Sequence, residues 1–539
     1  MVKKHIFPSW CVVVPVLCAI QWLLVPPWGN FPLNDDWTAA LSVKAFIESG
    51  EAFYAPWLSA MSHVSILYGI VVTKLLGFSF DALRMGTIIL ALGSLALFYA
   101  ILRRMAISKS VSWILVGLLA VNPLFINLSY TFLSDIPALF LLLLSFYCYL
   151  RSCQKNTWWL FFAVLISVVG FFTRQINLLL LVAIGLVSLK QCWEKKLSVK
   201  QCVAAFSFPL IIGVAVYLWL GHLHLLPGQV GARFLSQGMS YAEIFLKNIW
   251  QFATLIALFF SPIVCGVVIK NGEYWKQRAF WLYAMGGGVL AVFVGYYWTH
   301  FQLLGNIISR YGLGATREVM QGDLAVWGKD WWYVAMYVLG GIFVGMVIFL
   351  LRTHRNLFSF TSEKIQVVVL FILLYGGLLC VIQSYDRYLL VLLPFLLILL
   401  APLLTLRCSR VMLIALILVQ WGYGVVGEHN YLAWNQARWE LGDRVLHHGV
   451  NAQDIEGGYE WNGWMYYRQT QMNPIGTITP AWAPWYVHDL YPGDTMPYII
   501  AFSPLGGYRV IDSQKVDGWL HFPIKTMYTD QVVPKSIRP

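Results

Sequence analysis

The chain has 539 residues, of which 59% are hydrophobic and only 12% charged, and its mean hydropathy is +0.67. So little polar surface cannot cover a water-soluble globule of this size, which excludes a soluble enzyme and implies a bundle of lipid-facing helices. A net charge of +12 would suggest a nucleic-acid partner in a soluble protein, but here Lys and Arg gather in short loops between apolar runs, where they report topology.

Met1-Val2-Lys3-Lys4 precede an apolar run from Ser9 to Pro26 that is long and lacks a small-x-small cleavage site. Leu17 before Cys18 also argues against a lipoprotein signal. The run is therefore expected to be the first transmembrane helix, amino terminus inside. Phe31-Pro32-Leu33-Asn34-Asp35-Asp36-Trp37 follows. Two adjacent carboxylates beside a membrane segment must be hydrated, paired or protonated, which points to a general base or a metal or phosphate site over a plain solvated loop.

The run Met61–Leu76 places Ser62, Ser65, Gly69 and Thr73 on one face and Lys74 near its end. Counting it as a span would put every later basic loop outside. Reading it as an interfacial helix puts Arg103-Arg104…Lys109, Arg151…Lys155, Lys190…Lys200, Lys270…Arg278, Arg352…Lys364 and Arg407…Arg410 inside together, so the interfacial reading is adopted. Spanning runs then fall near 84–102, 111–127, 134–150, 158–172, 176–189, 202–220, 249–269, 279–298, 331–351, 365–383, 388–406 and 411–426, or about thirteen crossings with the first.

With that topology, the polar segments that are not basic loops share the outer side. They are the acidic pair, Ser129–Asp135, Thr173-Arg174-Gln175, Ser309-Arg310-Tyr311 and Ser384-Tyr385-Asp386-Arg387-Tyr388. Acids and arginines converging on one face have the makings of an active site at the outer membrane boundary. The expected catalytic residues are Asp35, Asp36 and Asp135. The expected substrate and phosphate contacts are Arg387, Arg310, Arg174, Tyr388, Trp37 and His63.

The nine cysteines lie in spans or near the inner side, so no disulfide framework is implied. His222 and His224 lack a third ligand for a metal site. From Gly427 onward the chain turns polar: a helix is expected at 430–448 and strands at 498–502, 508–511 and 519–524, divided by Ser503-Pro504 and Gly506-Gly507. The expected organisation is a membrane domain over 1–427, with an outer loop at 27–83, and a small α/β extracytoplasmic domain over 428–539. Trp461, Trp464, Trp482 and Trp485 suit either stacking on carbohydrate or packing on the membrane surface.

The acidic pair after a first helix, the second acid in Ser134-Asp135-Ile136-Pro137, and Asp386-Arg387-Tyr388-Leu389-Leu390 before an apolar span with Pro394 resemble the GT-C membrane glycosyltransferases. The most similar branch holds the protein O-mannosyltransferases and the lipid A aminoarabinose transferase. The basic residue and paired prolines common in that branch's first outer loop are replaced here by Tyr54-Ala55-Pro56-Trp57. The resemblance implies an inverting sugar transfer from a polyprenyl-phosphate donor to a lipid, glycan or protein acceptor, and makes the first acid, Asp35, the base with Asp36 in support.

Physical reasoning runs parallel to the resemblance. Outside a bacterial cytoplasmic (inner) membrane there is no nucleotide-sugar pool, so the sugar must arrive activated on a carrier that crosses the bilayer. A carboxylate then takes the acceptor's proton and cations hold the departing phosphate. Asp35 or Asp36 can be the base and Arg387, Arg310 or Arg174 the clamp. A divalent metal ion on Asp35 and Asp36 is compatible with this chemistry, although no ligand spacing indicates it. A lipid-linked glycan flippase and a glycan polymerase or ligase are the alternative classes; no inverted repeat supports the flippase.

Sidedness is directly testable. Reporter fusions after Lys196 and after Pro539 should report opposite compartments; both on one side would remove the expected site from the outer face.

Overall fold

Among the described residues, seven helices are long and apolar enough to cross a bilayer: Phe80–Arg104, Asp135–Ser152, Val199–His222, Arg278–Tyr297, Trp331–Thr353, Glu363–Val381 and Arg410–His447. Two bent pairs, Lys109–Ala120 with Pro123–Ser129 (62°) and Glu243–Phe259 with Ser261–Lys270 (61°), raise the count to as many as nine. Each bend coincides with a proline in the first turn of the second helix, Pro123 or Pro262, where the missing N–H stops the preceding helix from continuing. The chain is a multi-pass helical membrane protein. This computed structural model describes residues 10–58, 60–153, 158–227, 241–301, 304–316, 318–324, 329–382, 384–472, 483–490, 497–520 and 524–532.

The expected thirteen crossings exceed that count. The difference lies in Val12–Leu24, Trp158–Phe171, Asn177–Trp193 and Leu393–Thr405, apolar helices of 10–17 residues that fall short of the ~20 a perpendicular span needs. The Met61–Leu76 run forms another such helix, His63–Leu76. Close packing in the bundle relies on small residues: a Cβ at Gly287 would strike the Gly341 carbonyl, and one at Gly345 the Tyr283 carbonyl.

The 38-residue helix Arg410–His447 runs unbroken through the expected boundary at 427/428 and carries the chain from the apolar bundle into the polar carboxyl-terminal unit. There a four-stranded sheet has the order Ile455–Glu456, Tyr498–Ala501, Thr526–Val532, Tyr508–Lys515. The first pair is parallel and the others antiparallel. Two of the expected strands are present. The third falls later than expected, at Thr526–Val532, while residues 521–523 of the expected run, like Trp482, lie outside the described residues.

What positions the site is the core of this unit. Trp434, Trp461, Tyr486, Ile499, Ile500 and Met527 form one buried cluster with Phe31, Leu33 and Trp37 of the acidic loop. The loop is therefore part of the carboxyl-terminal core as much as of the membrane bundle, and burial of these aromatics is worth roughly 1.5–3 kcal/mol per large side chain.

Candidate active site

Three contacts shape the acidic loop before any catalytic question arises. Arg84, fully buried on the Phe80–Arg104 helix, donates to the carbonyls of Pro27 (3.3 Å), Gly29 (2.6 Å) and Phe31. The Gly29 carbonyl also accepts from the Phe31 N–H at 2.8 Å, so the guanidinium and a tight turn together hold this stretch. Asn34 adopts φ 55°, a left-handed conformation that Asn tolerates, and its N–H donates to Glu460 Oε1 at 3.1 Å. The other oxygen of Glu460 accepts from Arg438 Nη1 at 2.7 Å, and both side chains of this pair are 0% exposed. Burial pushes the Glu460 carboxyl up while Arg438 works against it.

Asp35 then stands one residue ahead of the helix Asp36–Ser49, and the two acids diverge. Asp36 is fully buried and accepts from the N–H of Leu33 (2.8 Å) and of Phe132 (3.2 Å). Burial raises its pKa to about 7, against the opposing pull of Arg84 and of those two N–H groups. It is a brace between the loop and the Ser129–Asp135 segment. Asp35 is one-third exposed (33%), and its oxygens are divided: Oδ2 accepts from Arg387 Nη2 at 2.8 Å, Oδ1 from the Tyr459 hydroxyl at 2.7 Å. Trp57 Nε1 donates in turn to the Tyr459 oxygen at 2.7 Å.

Arg387 is 8% exposed, and among the described residues its Nε and Nη1 have no hydrogen-bond partner. Its guanidinium lies 5.7 Å from the ring centroids of both Tyr385 and Tyr388. Arg174 also lies 5.0 Å from the Tyr388 ring centroid and is ion-paired with the buried Asp135. Asp35, Arg387, Tyr388, Arg174 and Asp135 are thus brought together. Asp386, next to Arg387 in sequence, turns away: it is buried and accepts from the N–H groups of Ile307 and Ile308 at 2.6–3.1 Å, tying down the hairpin Ile308–Ser309/Gly312–Leu313. Burial pushes it also up to about 7.

The remaining expected residues are placed elsewhere. Arg310, at the hairpin turn, donates to the Tyr311 hydroxyl at 2.7 Å and lies over the rings of Tyr311 and Tyr333. His63 bonds the Leu225 carbonyl at 2.8 Å and stacks on Tyr54. Trp37 corrects the expectation of a substrate contact: it is 0% exposed, edge-on to Tyr459 and Tyr467, and a Cβ at Gly463 would collide with its indole. Nor do the acids suit a shared divalent ion. The Asp36 carboxylate is consumed by backbone donors, and among the described residues no group of three or more His, Cys, Asp or Glu side chains could hold a metal.

Tyr459, Trp57, Glu460 and Arg438 were not legible as site residues. The available signal was Tyr459-Glu460-Trp461, a carboxylate inside an aromatic stretch of an otherwise solvated-looking tail.

Residues 65–219 match the family model described as dolichyl-phosphate-mannose-protein mannosyltransferase. The matched stretch covers less than a third of the chain. It includes Arg84, Asp135 and Arg174, and neither Asp35 nor Arg387 lies within it. Two solved structures of ArnT from Cupriavidus metallidurans are similar along nearly the whole length. The apo form is 11% identical with a TM-score of 0.37, and the form bound to undecaprenyl phosphate 12% identical with a TM-score of 0.40. Each alignment covers 98% of this chain and 99% of that one. No curated protein sequence matches.

The bracing role of Asp36 has a pH signature. The unfolded carboxyl loses its proton near pH 4 and the folded one near 7, so the folded state holds more protons in that window and stability falls as pH rises through it. Melting curves from pH 4.5 to 8 should therefore drop more steeply for the wild type than for Asp36→Asn, which does not ionise; parallel profiles would contradict this.

Proposed function

We propose that this chain is an integral membrane glycosyltransferase that moves a sugar from a polyprenyl-phosphate carrier to an acceptor on the outer face of a bacterial cytoplasmic membrane. The observation that carries the reading is the contact of Asp35 Oδ2 with Arg387 Nη2 at 2.8 Å while Arg387 Nε and Nη1 remain buried without a partner among the described residues. Buried N–H groups left unmatched cost about 1–3 kcal/mol, and more when charged, so they favour an anionic ligand that accepts from them. The planar fork of arginine suits a phosphate. The family description over residues 65–219 names a dolichyl-phosphate sugar, a donor of the same chemical kind.

In the proposed reaction the acceptor oxygen bonds to the anomeric carbon and the bond from that carbon to the phosphate oxygen breaks. The acceptor's proton passes to Asp35, which is open to solvent, and the released phosphate keeps its charge against Arg387. One displacement inverts the anomeric centre. Arg174 and Arg387 each pair with a carboxylate, Asp135 and Asp35; what favours Arg387 as the clamp is that, among the described residues, its Nε and Nη1 have no partner. The basic-loop distribution supports placing this site outside, with residues 1–427 as the membrane domain and 428–539 as an outer domain.

Asp35→Asn keeps the side chain's shape but accepts no proton. Turnover of a labelled polyprenyl-phosphate sugar should fall by roughly 10²–10⁴-fold, with undecaprenyl phosphate binding retained. Near-wild-type turnover in folded protein would pass the base role to Asp36 or Asp135. For the clamp, Arg387→Lys keeps the charge without the fork and Arg387→Ala keeps neither. Both should weaken undecaprenyl phosphate binding, Ala the more; unchanged affinity in both removes Arg387 from the phosphate site.

A further inference from the structure

We propose that Tyr459 is a positioning residue for the base, which makes the carboxyl-terminal unit a working part of the catalytic centre; the inference rests on the reading of Asp35 given above. Tyr459 lies 424 residues from Asp35 in sequence, yet its hydroxyl is 2.7 Å from Asp35 Oδ1. The direction of that bond follows from its neighbour. An indole N–H can only donate, so at 2.7 Å from Trp57 Nε1 the Tyr459 oxygen is the acceptor there, and its single proton is directed to Asp35.

The ring holding this hydroxyl is itself held. Tyr459 is 2% exposed, its backbone N–H donates to the Val319 carbonyl at 2.9 Å, and its ring packs against Trp37 and Trp485 at 5.7 Å and Tyr486 at 6.1 Å. A carboxylate bound through one oxygen can still turn about its side-chain torsions, whereas one bound through both is fixed in plane and direction. Arg387 supplies the second contact, but it is also the group that a phosphate would engage. Tyr459 keeps Asp35 aimed when the guanidinium turns part of its donor capacity to the ligand.

The test uses the full-length protein in detergent or nanodiscs with a labelled polyprenyl-phosphate sugar and extracted acceptors. Tyr459→Phe removes one oxygen and leaves the ring. The expected result is a kcat lowered by about tenfold to a hundredfold, the size of effect that modest misplacement of a reacting group produces. Donor KM should be unchanged, a split between kcat and KM that a loosened fold would not give. Trp57→Phe leaves the Tyr459–Asp35 bond but frees the hydroxyl to rotate, so it should lower kcat the same way by less, with donor KM again unchanged. A wild-type kcat in Tyr459→Phe, alongside an inactive Asp35→Asn, overturns the role of Tyr459 and leaves the base in place. An active Asp35→Asn overturns the base itself. Should Tyr459→Phe fail to fold, Trp57→Phe decides: an unmoved kcat overturns the proposal.

Discussion

The arrangement at the mouth of the bundle depends on one buried carboxylate. Glu460 faces Arg438 with one oxygen and the Asn34 amide with the other, and neither charged side chain reaches solvent. Removing one partner from such a pair costs about 3–5 kcal/mol, because the remaining charge is stranded in a poor dielectric. The acidic loop is therefore not free to choose its conformation. Asn34 is held in a left-handed turn, Arg84 collects the carbonyls that precede it, and the helix beginning at Asp36 starts in a fixed direction.

That fixed start separates two chemically identical neighbours. Asp35 lies before the helix and Asp36 inside its first turn, so their side chains leave the backbone toward different surroundings. One meets backbone donors in a closed space and is held near neutrality by burial. The other meets a guanidinium and a phenol at an opening. The environment assigns a brace to the first and leaves the second available for proton transfer, a division that neither residue's chemistry contains by itself.

The arginines are sorted by the same logic. Arg84 and Arg438 are sealed in and spend their donors on structure. Arg174 is matched by Asp135. Arg387 is matched only in part, its charge by Asp35 and its Nε and Nη1 by nothing among the described residues. Among the described residues Arg84 and Arg438 each leave only Nε without a partner, whereas Arg387 leaves both Nε and Nη1, so the larger mismatch lies beside Asp35, where an anion would find donors.

Much of this was legible in the sequence, and the limit is physical. Apolar runs near spanning length require a membrane bundle whatever their packing, because nothing else buries them. The scarcity of charge makes each acid and arginine outside the basic loops worth notice, and Asp35, Asp135, Arg174 and Arg387 stand out in the sequence for that reason. Local pattern also revealed strands at 498–502 and 508–511. Only the tertiary structure decided that Arg387 meets Asp35 instead of the adjacent Asp386, that Trp37 is core, and that Tyr459 reaches back across 424 residues to the acidic loop. Hydropathy depends on composition over a window, and a sequence states it directly. Which way a side chain points at a helix start, and which distant segment closes over it, depend on the packing of the whole chain, and no window contains that.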